Sequence, residues 1–98
     1  MSIQRKTESV CSEIYGLLRE ERERRGLSKY ALSGMTGLSQ QTIGYLEREM
    51  TAPSLDTVLR IVRAMEIDFG KLITDAEMRA SRKTVVRVRA PARQTKAK

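Results

Sequence analysis

The chain has 98 residues, room for one domain of modest size, and a packed unit of about sixty residues is marginal without help from a partner. It has no histidine and a single cysteine, Cys11. That excludes an internal disulfide, a zinc site built from histidine and cysteine, and a thiol–imidazole catalytic pair. The net charge of +7 suggests a polyanionic partner, but the excess is local: from Arg79 onward there are eight basic residues and no acids, leaving 11 basic against 12 acidic residues in 1–78.

No apolar run is long enough for a signal peptide's core or a membrane span, so a cytoplasmic protein with no membrane partner is expected. Residues 1–7 read as a disordered lead. Val10, Ile14, Leu17 and Leu18 then recur at helical spacing and continue into a charged run up to Arg25, a first helix ended by Gly26. Glu20, Glu21 and Glu23 lie among arginines on that helix and read as solvated charge pairs, not as an acid–base centre. No enzyme, metal site or cofactor is expected.

From Leu27 to Glu47 one helix-opening pattern occurs twice. Leu27, Ser28 and Leu32, then Leu38, Ser39 and Ile43, each place a serine N-cap between two apolar residues that staple the helix start. Gly37 stands where the first helix must stop and can adopt the left-handed conformation. The reading is helix, tight turn, helix. Neither helix exceeds about two turns, so neither is stable alone. Leu32, Met35, Leu38, Ile43 and Leu46 are expected to face inward, with Ser33 small enough for the two axes to approach.

A fourth helix follows Pro53, with Ser54 as its N-cap and an apolar face of Leu55, Val58, Leu59, Ile61, Val62 and Met65. A third staple, Ile67, Asp68 and Leu72, opens a fifth helix that holds Phe69 and Ile73 and runs as far as Met78. The domain proper is 8–78, and 79–98 is a basic tail. Two readings of 84–89 stay open: a disordered tail, or a short strand in which Val86 and Val88 share a face and pair with a second copy.

The segment LSKYALSGMTGLSQQTIGYLE resembles the helix-turn-helix of the lambda-repressor-like family, also called Cro or Xre. The likeness extends to LLREERERRGLS before it and LEREMTAPSLDTVLRIVRAMEIDFGKLI after it, roughly Ile14 to Ile73. The resemblance implies an all-α, compact five-helix domain, here with a basic C-terminal tail. It also implies a transcriptional regulator that binds double-stranded DNA as a homodimer, and a repressor on a near-palindromic operator is the expected form. Some Cro-like proteins dimerise through a strand of the kind considered at 84–89. The alternative is an antitoxin, in which the same fold binds a toxin protein as well as its own promoter.

Docked in a major groove, the helix starting at Gln40 would turn Gln40, Gln41 and Thr42 toward base edges, with Tyr45 one turn on and on the same side as Gln41. A glutamine amide matches the N6 and N7 pattern of adenine, and the threonine methyl can touch that of thymine. The family commonly reads bases from the positions of Gln40, Gln41 and Tyr45. Expected phosphate contacts are Ser28, Lys29, Ser39, Arg48, Thr51 and Ser54, partly through backbone N–H groups at helix starts. The resemblance also pairs Arg22 with Glu47 as a structural ion pair, and Glu49 stands where the family commonly carries glycine. Phe69, Leu72 and Ile73 are dimer-interface candidates, together with Val86 and Val88.

Overall fold

A computed structural model describes residues 2–89, the side chains of 83–89 excepted. Five helices follow in order: α1 (Ile3–Arg24), α2 (Lys29–Thr36), α3 (Gln40–Glu47), α4 (Leu55–Ala64) and α5 (Phe69–Arg89). Among the described residues there is no strand, and no helix is long and apolar enough to cross a membrane.

One device starts every helix. Ser2, Ser28, Ser39 and Ser54 each take extended backbone and accept the N–H three residues on, at 3.1, 2.9, 3.0 and 3.1 Å. Asp68 Oδ1 does the same for Lys71, at 3.1 Å. Each cap satisfies a donor that the helix itself leaves unpaired.

The stops are equally regular. Around Gly26 (φ 69°), Glu49 (φ 59°) and Glu66 (φ 54°) the chain turns left-handed. The following N–H then reaches back to a carbonyl five residues earlier: Leu27 to Arg22, Met50 to Tyr45 and Ile67 to Val62, at 2.9–3.0 Å. This is the closure that ends helices at glycine. Here glutamate occupies the strained position in two cases out of three.

Leu18, Leu32, Ile43, Leu46, Ile61, Val62 and Met65 are almost wholly removed from solvent, so every one of the first four helices contributes to a single core. α5 runs antiparallel along α1, with Leu72 and Asp75 across from Leu17 and Glu21, and Arg82 across from Ser12 and Glu13. Ala76 and Ala80 are buried in that contact, their small side chains letting the two long helices approach.

The structure departs from the sequence reading at several places. α1 begins at Ile3, so residues 3–7 are helical where a disordered lead is expected. These residues are exposed and carry no apolar stripe to announce a helix. They are held by the Ser2 cap and by bonds such as Gln4 to Glu8 (3.2 Å). α5 continues to Arg89, which replaces both readings of 84–89 with helix. Residues 90–98 lie outside the described residues. Met35 and Leu55, expected to face inward, are 52% and 62% exposed. α2 buries only Leu32, and Leu55 is the first residue of α4, at the rim of a face continued by Val58, Ile61, Val62 and Met65.

Candidate nucleic-acid interface

α3 is a helix with two unlike sides. Ile43, Gly44 and Leu46 are buried, whereas Gln40 and Gln41 are open to solvent and Thr42 and Tyr45 are half-buried. An eight-residue helix cannot hold this orientation by itself, so its surroundings must.

At its N-terminal end the turn from α2 is closed by side chains. Ser33 Oγ donates to the Leu38 carbonyl (2.5 Å), and Thr36 Oγ1 accepts the Leu38 N–H (3.1 Å) while donating to the Leu32 carbonyl (2.8 Å). Arg60 of α4 donates to the Thr36 carbonyl (3.3 Å), close beside Gly37, whose φ of 79° ends α2. Ser33 thus does more than leave room for two axes. Arg60 was not legible as a turn residue, because its partner Thr36 belongs to another element.

The C-terminal end of α3 is clamped to α1. Arg22 Nε and Nη2 donate to the two carboxylate oxygens of Glu47 at 2.6 and 3.0 Å, and Nη1 donates to the Leu27 carbonyl at 2.7 Å. Both side chains are close to fully buried, at 11% and 6% exposure. Its hydrogen bonds to Glu47 raise the Arg22 pKa above its ordinary value. One guanidinium therefore ties α1, the end of α3 and the start of the α2 segment together. A second tether, Ser12 Oγ to Glu49 Oε2 at 3.1 Å, joins α1 to the loop after α3.

On the open side, Gln41 Nε2 donates to Tyr45 Oη at 2.5 Å, and the Arg48 guanidinium lies 5.7 Å from the centre of the Tyr45 ring. These three are brought into one column. The hydroxyls of Ser28, Ser39 and Ser54 are engaged as caps, and those of Ser39 and Ser54 also donate to Thr42 and Thr57. Thr51 is exposed and Lys29 half-buried at the start of α2.

Two serine-capped helices joined by a glycine turn, the second with its back buried and its front free, match a family model described as helix-turn-helix, of the Cro/C1 type, over residues 18–72. The chain belongs to this helix-turn-helix family. The match runs from Leu18 on α1 to Leu72 on α5 and takes in all four interhelical turns. No significant match was found among curated proteins or among solved structures. The family is one of DNA-binding transcriptional regulators and not of enzymes. Among the described residues, no group of three or more histidine, cysteine or carboxylate side chains could hold a metal ion.

Within this helix-turn-helix domain Leu72 is 6% exposed and belongs to the core, so, contrary to expectation, it offers no surface to a dimer contact. Phe69 packs against the same core but stays half-buried, as does Ile73. Val86 and Val88 fall on the last turns of α5, and their side chains lie outside those described. At Gly44 the nearest atoms to an added Cβ would belong to Arg48, with Nη1 at 3.2 Å.

Proposed function

We propose that the chain is a sequence-specific repressor that occupies a near-palindromic operator as a homodimer, with α3 of each copy in the major groove. The observation that carries this reading is the two-sided α3, its rear buried through Ile43 and Leu46 in the shared core and its leading residues exposed. Gln40, Gln41, Thr42 and Tyr45 meet base edges. Ser28, Lys29, Ser39, Arg48, Thr51 and Ser54 meet phosphates, the capped helix starts doing so through their backbone N–H groups. A near-palindrome follows because two-fold partners present their helices one DNA turn apart, about 34 Å. Phe69 and Ile73, both half-buried, supply apolar surface for the dimer contact.

Selection from a random duplex library at a stated salt concentration tests specificity, half-site spacing and symmetry in one experiment. On the selected site, Gln40→Ala should cost about 1–3 kcal/mol and relax the preference at one base pair. An equal loss on random DNA would show that Gln40 reads no base.

A further inference from the structure

Gln41, Tyr45 and Arg48 run down the open side of α3 one turn apart. Arg48 is the last of them, at the helix C-cap. Its Nε donates to Met50 Sδ at 3.5 Å, and its guanidinium lies over both the Tyr45 ring and the bare Cα of Gly44. A cation in that place holds the ring by its π-face. Gly44 leaves the guanidinium the space to lie there, since a Cβ would crowd it at 3.2 Å. With its ring held, Tyr45 presents its hydroxyl at a set point, and Gln41 Nε2 donates to it at 2.5 Å.

A glutamine amide carries two N–H donors and one carbonyl acceptor. In the major groove guanine offers two acceptors, N7 and O6, whereas adenine offers one acceptor, N7, and one donor, N6–H. A glutamine free to rotate can turn either two donors, or one donor and its carbonyl, toward a base. Once one N–H is engaged by Tyr45, a single N–H and the carbonyl remain. That set matches adenine and falls one donor short of guanine. The bond is exposed to water in the free protein, but insertion of α3 into a groove would exclude that water and strengthen it.

We propose that Tyr45 is a positioning residue: by accepting one amide N–H it makes Gln41 selective for adenine over guanine. This rests on Gln41 as a base-reading residue.

The test begins from the duplex selected by the wild-type chain. The base pair read by Gln41 is the one at which Gln41→Ala abolishes preference, and it is then varied in turn. The wild type should prefer adenine to guanine there by about tenfold or more. Tyr45→Phe should bring that ratio close to one, and the double variant should discriminate no worse than either single variant.

In the free protein, the side-chain amide protons of Gln41 should resonate away from those of a solvated glutamine and return toward them in Tyr45→Phe. Discrimination that survives Tyr45→Phe, losses that add in the double variant, or amide resonances indifferent to the substitution would each overturn the positioning role alone. A Gln41→Ala variant that changes preference at no base pair would remove the base-reading role and this inference together.

Discussion

Replacing Arg22 by methionine should be the most damaging single change available outside the apolar core. The substitution keeps the length of the stem but removes three donors. Two belong to the paired bonds to Glu47 at 2.6 and 3.0 Å, and the third serves the Leu27 carbonyl at 2.7 Å. The Glu47 side chain, 6% exposed, is then left with an uncompensated carboxylate. Breaking one side of a buried pair costs about 3–5 kcal/mol, because the stranded charge has no water to replace its partner. A domain of this size holds about 5–12 kcal/mol in all. At about 4–8 °C per kcal/mol, the midpoint of thermal unfolding should fall by at least about 12 °C. Urea and thermal unfolding followed by circular dichroism would read this directly. Arg22→Met with Glu47→Leu removes both charges and should recover most of the loss, since an apolar pair of similar volume replaces a buried ion pair at little cost. A single variant that loses less than about 1 kcal/mol, or a double variant as unstable as the single, would refute the reasoning.

Glu49→Gly should stabilise the domain by about 1 kcal/mol by relieving the left-handed backbone at φ 59°. Glu49→Ala keeps that strain, and both variants lose the Ser12 bond, so urea midpoints that rank alanine above glycine would contradict the strain argument. Gly44→Ala should also raise stability, by about 0.5–1 kcal/mol, because helix propensity improves and only the mobile end of Arg48 must give way. A lower melting temperature would mean that the Arg48 side chain cannot move aside. Glu21 accepts hydrogen bonds from Arg24 and Arg25, which hold its carboxyl at about 2 against an ordinary 4.5. A depressed carboxyl contributes stability that is full above about pH 4.5 and disappears as pH falls through about 2. Stability measured across that window should therefore drop less steeply in Glu21→Gln than in the wild type.

Local chemistry was enough to locate most helix starts and some stops. Ser28, Ser39, Ser54 and Asp68 cap where their side chains can reach an N–H three residues on, and Gly26 and Gly37 turn where only a residue without Cβ does so freely. These interactions span one turn of chain, and their partners lie within the same few residues. The same holds for the outward placement of Gln40 and Gln41, which follows from Ile43 and Leu46 facing in.

What needed the folded chain was most of what has a distant partner, the Arg22–Glu47 pair that the family resemblance implied excepted. The left-handed turns at Glu49 and Glu66 carry no glycine to mark them and are held by the helices on either side. Thr36 gains its role partly from Arg60, and Glu49 is tied to Ser12, 37 positions away. The exposure of Met35 and Leu55 reflects where short helices cross the core, which periodicity along one helix cannot report. α5 outran its expected end because its pattern weakens after Ala80, while α1 lies alongside to support it. Capping and turning are decided over about 5 Å of backbone, and burial is decided by which surfaces meet, so the first is written residue by residue and the second only in the assembled domain.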